Sequence, residues 1–179
     1  MKKTLCFLFL IIFMSGTLLA SDLGFKGIRP KLGLIMPEDD CDTGLLLGVG
    51  ADMGTITKNL RLAPFLTYWN SGYDEYDLDL SLSNIQLGAD VHYMFPSVHG
   101  LYAGGGLSIN LLSVDYPVYV YNSDEVKTES DSETELGIGF LGGYEMMVGK
   151  MKGFGELKFN MIDELDTLEL LIGIHFDMR

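Results

Sequence analysis

Cysteine is scarce in this chain of 179 residues, which contains only Cys6 and Cys41. Cys6 lies in an N-terminal segment that we expect to be removed, so one thiol remains and no intramolecular disulfide can form. The sequence also lacks a cysteine–histidine metal set and a phosphate-binding loop. We therefore expect neither a disulfide-stabilised fold nor a cofactor.

Basic residues are scarce as well. The chain has 12 Lys and Arg against 25 Asp and Glu, which gives a formal charge of −13. Loss of Lys2 and Lys3 with the N-terminal segment would make this charge still more negative. Because nucleic-acid binding relies on Lys and Arg to neutralise phosphates, we expect no nucleic-acid partner.

Long hydrophobic runs are absent after the first twenty residues. Lys2 and Lys3 precede an apolar stretch over 5–14, and small residues lead to Ala20, which is the pattern of a secretory signal. We therefore assign 1–20 to a signal peptide and 21–179 to a single domain. A membrane-anchoring helix is the alternative, although the run is short for a span of about 20 residues.

Alternation of apolar side chains with glycine and polar ones fills the rest of the chain, as over 85–95. Such a period of two is typical of β-strands with one apolar face. In lipid, only helices and closed barrels pair every backbone group. An exported chain that is 47% hydrophobic and has no long apolar run is thus expected to face lipid with strands. A secreted, soluble lipocalin-like barrel is the rival interpretation.

The alternation and the turn signals predict an all-β fold, an eight-stranded antiparallel up-and-down transmembrane β-barrel. Its predicted strands cover 24–37, 43–56, 60–72, 77–95, 100–114, 133–149, 153–162 and 167–177. Pro30 and Pro64 fall inside strands and predict bulges or a later strand start. A change of face between Leu82 and Ile85 predicts a further bulge.

The predicted connections alternate between two kinds. Short turns with basic residues at or beside them cover 57–59, 96–99 and 150–152. Longer acidic connections cover 38–42, 70–77, 115–132 and 163–166. In outer-membrane barrels the short turns face the periplasm and the longer loops face outward. We therefore expect an outer-membrane location with both termini in the periplasm.

The inward face of the predicted barrel combines glycine with charges of both signs. The interior of an eight-stranded barrel is narrow, so side chains largely fill it. Charges buried there must pair, and we expect them to form a structural network across the lumen. The candidate members are Arg29, Lys31, Asp52, Arg61, Asp90, His92, Glu145, Glu156, Lys158, Glu169 and His175.

Aromatic residues cluster near predicted strand ends. They form one group of Tyr68, Trp69, Tyr73 and Tyr76, and another of Tyr93, Phe95 and Tyr102. Because amphipathic rings prefer the level of the lipid headgroups, these groups predict two aromatic girdles.

With its signal peptide, eight alternating segments, short turns and longer loops, the chain resembles the small eight-stranded outer-membrane barrels of the OmpA N-terminal domain and OmpX kind. The segment 168–176 resembles that family's final strand, which ends in an aromatic residue and carries the signal for the barrel-assembly machinery. Here three residues follow Phe176. The resemblance implies outer-membrane lipid and the assembly machinery as partners. It does not specify an activity, because this fold carries several functions.

Two functions stay open at this point, and a third is not expected. A structural or surface-interaction barrel would present acidic loops to an extracellular ligand or to divalent cations, although 39–42 lacks the ligand spacing of an EF-hand. A narrow channel or transporter of small or hydrophobic molecules is an alternative. We do not expect an enzyme, because His92, His99 and His175 lack a sequence-local serine and acid arrangement.

Overall fold

The computed structural model describes residues 22–38, 41–75, 78–119, 126–149, 151–163 and 165–178. The predicted signal peptide lies outside these residues. Eight strands account for most of the described chain: β1 (Asp22–Pro37), β2 (Gly44–Thr57), β3 (Leu60–Glu75), β4 (Leu78–Met94), β5 (Leu101–Tyr119), β6 (Val126–Val148), β7 (Met151–Ile162) and β8 (Leu165–Asp177).

Each strand pairs with its sequence neighbours, and β1 pairs antiparallel with β8 to close the barrel. The predicted eight-stranded up-and-down barrel is thus confirmed. Closure leaves the barrel wall without an edge, so backbone groups along the wall pair between strands. Among the described residues, no helix has the length and apolar character needed to cross a membrane.

Along each strand, successive side chains point alternately to the outside and to the inside of the barrel. In β2, Leu45 and Leu47 are 72% and 63% exposed on the outside, whereas Leu46 between them is 1% exposed. The same alternation places apolar residues of every strand outside and most glycine and charged residues inside. The period of two in the sequence therefore reflects the two environments of each strand, the apolar outside and the polar inside of the barrel.

A long hairpin replaces most of the loop predicted over 115–132. β5 continues to Tyr119 and β6 begins at Val126, and the pairing runs from Asp115 opposite Ser130 to Tyr119 opposite Val126. The prediction was wrong because it required an apolar face, whereas strands beyond the apolar part of the wall need none. β6 pairs with β7 only from Gly137 onward, so the hairpin projects past β7.

The expected irregularities occur at only one of three places. β1 keeps its register with β2 through Pro30, although no β8 partner is assigned opposite Arg29 or Pro30. The register of β2 with β3 shifts between Gly50 and Thr55, next to Pro64. The bulge predicted after Leu82 was wrong, because β4 runs in continuous register and Leu82 faces inward.

Candidate functional site

The lumen near the turn end contains two arginines that face carboxylates from the opposite wall. Arg61 Nη2 lies 2.8 Å from Glu145 Oε1, and Arg29 Nη2 lies 3.3 Å from the same oxygen. Arg61 Nη1 also lies 3.8 Å from Asp52 Oδ2. The contacts with Glu145 connect β1 and β3 with β6 across the lumen, and the contact with Asp52 joins the neighbouring strands β2 and β3.

Tyr102 of β5 links this group to the next layer. Its hydroxyl accepts a hydrogen bond from Arg29 Nη2 at 3.2 Å and donates one to Glu156 Oε2 at 2.8 Å. Its ring stacks on His92 with 4.9 Å between centroids. A Cβ added to Gly143 would lie 2.4 Å from the Tyr102 ring and hydroxyl, so glycine on β6 makes room for this side chain.

Lysines from β1 and β7 fill the centre of the lumen. Lys158 Nζ donates to both carboxylate oxygens of Asp90, at 2.9 and 3.0 Å. Lys31 Nζ lies 3.8 Å from Glu156 Oε1. Both ammonium groups lie over the Phe65 ring, 3.7 Å from its centroid for Lys158 and 4.9 Å for Lys31. The positive charges are thus held by carboxylates and by one aromatic face.

The structure places the remaining candidate residues around these groups. His175 Nε2 lies 3.5 Å from Asp52 Oδ2, and the Asp52 Oδ1 atom accepts a hydrogen bond from the backbone of Gly54. The Glu169 carboxylate accepts a hydrogen bond from the side-chain amide of Asn160. Every candidate lumen residue therefore points into the barrel, and the four Arg and Lys side chains lie opposite acidic ones.

Neutral polar residues form the next layer toward the loop end. Thr67 donates to Gln86 and Gln86 to Ser108, each at 3.0 Å, and Asn84 donates to Asn110 at 3.0 Å. These side chains are almost completely buried. Hydrogen bonding among them offsets the cost of removing them from water.

An apolar layer closes the lumen above the amides, and the sequence did not predict it as a unit. It consists of the buried Ile35, Leu46, Trp69 and Leu171, packed against Leu82, Leu112 and Leu165. All seven occupy positions of inward parity on their strands. The alternation in the sequence places these seven residues on the inward face, and this was the signal that could have predicted the apolar layer.

Two aromatic residues are therefore wrongly placed by the girdle prediction. Trp69 is 1% exposed in the apolar layer, and Tyr102 is 0% exposed in the charged layer. Tyr68, Tyr93 and Phe95 do lie on the outside. The predictions for the side chains of Tyr73 and Tyr76 fall outside the described residues.

The layers leave little free volume in the centre of the lumen. The cavity among Arg29, Lys31, Phe65, Asp90 and Glu156 measures about 10 Å³. A single water molecule needs at least roughly 10–15 Å³ measured in this way. The arrangement holds charges of both signs close together in the centre of the barrel.

The acidic segment 39–42 falls partly outside the described residues, because the structure does not describe Asp39 and Asp40. In the described part of the chain, no group of three or more His, Cys, Asp or Glu side chains has a geometry suited to a metal ion. Divalent-cation binding at the acidic loops stays a prediction.

No protein-family model matches the chain, and no curated protein sequence matches it significantly. The similarity is to solved structures. Neisserial surface protein A is 17% identical over 85% of this chain and 96% of its own, with a TM-score of 0.57. Ail, the attachment invasion locus protein of Yersinia pestis, is 12% identical over 87% of this chain and 99% of its own, with a TM-score of 0.60.

A major outer membrane protein of Thermus thermophilus is 13% identical over 85% of this chain and 99% of its own, with a TM-score of 0.57. These identities are low, so the likeness concerns the fold. It agrees with the described strand order and barrel closure. By its fold, the chain is a small eight-stranded β-barrel of the outer-membrane kind, as the resemblance to OmpA and OmpX predicted.

Proposed function

We propose that this chain is an integral outer-membrane protein whose barrel is closed to solutes and whose acidic end is a surface for interaction with other molecules. The observation that carries the proposal is the filled lumen. Ion pairs, buried amides and an apolar layer follow one another along the barrel axis. Because a general porin needs an aqueous channel, such packing supports a barrel that is closed to solutes.

The two ends of the barrel differ in charge, which supports an orientation. The described loop end carries Asp131, Glu133, Glu135 and Asp163, whereas Lys58 and Lys152 lie at the turn end. We propose that the loop end faces outward and that both termini lie in the periplasm, as in other barrels with short periplasmic turns.

The surface role is supported by the chemistry of the acidic end. Ail is named an attachment invasion locus protein, and it has also been solved with the heparin analogue sucrose octasulfate. A polysulfate would be repelled by the acidic loop end of this chain. The proposal is therefore an interaction role with a different, positively charged class of ligand.

Catalysis is not part of the proposal. His92 lies between Arg29, Arg61 and Tyr102 inside the wall, and His175 lies beside Asp52. The cavity that His92 lines measures only about 10 Å³, which supports a packing role for this ring. We also propose that β8 serves as the recognition strand for the barrel-assembly machinery, since Leu170, Ile172, Ile174 and Phe176 alternate along its outer face.

Conductance separates the closed barrel from the channel alternative. We expect purified, folded protein in a planar lipid bilayer to show no sustained conductance, because the cavity in the central charged layer measures only about 10 Å³. A porin inserted in the same bilayers serves as the positive control. Sustained openings would contradict the filled lumen and would favour the narrow channel.

Thiol labelling on intact cells tests the location and the orientation. In a Cys41→Ser background, Ser132→Cys places a thiol at the exposed loop end, and Val98→Cys places one at the exposed turn end. We expect a membrane-impermeant maleimide to label the first variant on intact cells and the second only after lysis. The reverse pattern would overturn the orientation. Recovery of the protein in the periplasm without detergent would favour a soluble barrel.

A further inference from the structure

Methionine is concentrated at the turn end of the barrel. Five of the ten methionines lie within two residues of a strand terminus at this end, namely Met94, Met146, Met147, Met151 and Met178. The last four are between 43% and 62% exposed, although methionine is among the residue types most often buried. A group of exposed, flexible thioethers at one end of the barrel is therefore a candidate binding surface.

Three of these methionines share a cavity with a histidine. Met94, Met146 and Met147 line a cavity of about 580 Å³ at the turn end, and His99 lines it as well. We call it the methionine cavity. Met146 and Met147 are 57% and 62% exposed, so their side chains are accessible to a small solute.

The backbone places His99 next to Met146. The Glu145 N–H donates to the Gly100 carbonyl at 2.8 Å, which extends the pairing of β5 with β6 into the turn between β4 and β5. One residue further along this antiparallel pair, His99 comes opposite Met146. Gly100 has a φ of 87°, and an added Cβ would collide with the Glu145 carbonyl oxygen, so glycine permits this close approach.

The other two thioethers come from β4 and from the end of β6. Met94 is the last residue of β4, and its N–H donates to the Asn59 carbonyl at 2.8 Å. Met147 lies opposite Lys152 of β7. Paired backbone thus sets where these side chains begin. Because methionine has three rotatable bonds, the thioethers can adjust around a small ligand in the cavity.

The donor atoms in this cavity favour a soft metal ion. Methionine thioethers select Cu(I), and imidazole also binds copper, whereas Mg²⁺ and Ca²⁺ prefer oxygen ligands. Ag(I) has the same charge as Cu(I) and the same preference for sulfur. Methionine sulfur is a different donor from the cysteine and histidine sets that the sequence lacks, so their absence does not bear on this site.

The charges around the methionine cavity disfavour a divalent ion. Among the described residues that line it, Glu145 supplies the one carboxylate, and its Oε1 atom already lies 2.8 Å from Arg61 and 3.3 Å from Arg29. Lys152 also lines the cavity, with its Nζ atom 2.9 Å from Asp177. Because electrostatic repulsion grows with charge, a monovalent ion is repelled less by these cations than a divalent one.

We propose that the methionine cavity binds one soft monovalent cation of the Cu(I) and Ag(I) class, through its three thioethers and a ring nitrogen of His99. The site lies at the opposite end of the barrel from the acidic surface, so the inference goes beyond the proposed function and does not depend on it. A detergent or lipid chain is the alternative occupant, because Phe95 also lines the cavity. Such a chain would exclude the ion.

Isothermal titration calorimetry with silver nitrate tests the site in purified, folded protein in zwitterionic detergent micelles and chloride-free buffer. Ag(I) is the probe because it needs no reductant. All samples lack the predicted signal peptide and carry Cys41→Ser, so that no thiol binds the ion. We expect saturable binding of one ion per chain and much weaker binding of Zn(II). Absence of saturable Ag(I) binding, or equal affinity for Zn(II), would overturn the proposal.

Leucine variants locate the bound ion. The triple variant Met94→Leu, Met146→Leu and Met147→Leu nearly keeps side-chain volume but removes the sulfur atoms, so it should lose saturable Ag(I) binding. The matched control replaces Met36 and Met161, which are 36% and 38% exposed near the loop end, and should bind like the starting protein. Heat-dependent gel mobility shows that each variant is folded. Unchanged binding by the triple variant, or an equal loss in the control, would contradict the site.

NMR of isotope-labelled methionine methyl groups separates direct ligation from a remote effect. The methyl signals of Met94, Met146 and Met147 should shift when Ag(I) is added, whereas those of Met36 and Met161 should stay in place. Shifts confined to the latter two would place the ion elsewhere and overturn the proposal. Binding by purified protein is independent of orientation in the cell, so this test and the maleimide test can fail separately.

Discussion

Replacing Lys158 with methionine should lower the free energy of unfolding by about 3–5 kcal/mol, the cost of leaving a buried charge without its partner. Lys158 is 1% exposed and donates to both oxygens of Asp90, which is also buried. Methionine fills much of the same volume but brings no charge. The Asp90 carboxylate would stay in the lumen with its main counter-charge removed.

Urea unfolding of the protein in lipid vesicles measures this change, with the fluorescence of the single tryptophan, Trp69, as the signal. The double variant with Lys158→Met and Asp90→Asn is the control. It removes both charges together and should recover most of the stability that the single variant loses. If the single and double variants are equally unstable, the loss comes from packing and the ion pair contributes little.

Replacing Leu46 with alanine should lower the free energy of unfolding by about 2–5 kcal/mol, while the same change at Leu47 should cost less than about 1 kcal/mol. Leu46 is buried in the apolar layer against Ile35, Trp69 and Leu171, so truncation opens a cavity inside the barrel. Leu47 faces the outside. Lipid tails are as apolar as leucine and can fill the space that a shorter side chain leaves.

The two leucines are adjacent and receive the same substitution, so they differ only in the face of the wall that they occupy. The measurement is again urea unfolding in vesicles, supported by the loss of heat-dependent mobility on gels. A large loss at Leu47 together with a small loss at Leu46 would reverse the assignment of inside and outside. Equal losses would indicate that the apolar layer is loosely packed.

The number of strands and the two faces of the wall were predictable, because each strand alternates between two environments along its whole length. Leu45, Leu46 and Leu47 show why composition alone was insufficient. They are identical residues, and only their parity determines that the middle one is inside. Trp69 and Tyr102 were misplaced because they were assigned by residue type and closeness to a strand end rather than by parity.

The partners of the lumen residues were not predictable from alternation. Parity indicates that Arg29 points inward, but its contacts with Glu145 and Glu156 depend on register and strand tilt, which set the depth of each side chain. The projecting hairpin was missed for a different reason. Its residues alternate serine and threonine with acids, which has the period of a strand but no apolar face.

The reach of Arg29 across the lumen has a consequence for the order of assembly. Arg29 belongs to the first strand, and its charged partners belong to the sixth and seventh. A sheet that has not yet curled into a cylinder keeps these groups apart and hydrated. Joining the first strand to the last closes the longest loop of the chain, which carries the largest entropic cost. Ring closure and neutralisation of the interior are therefore coupled, so a half-open intermediate would lack both the final seam and its electrostatic stabilisation.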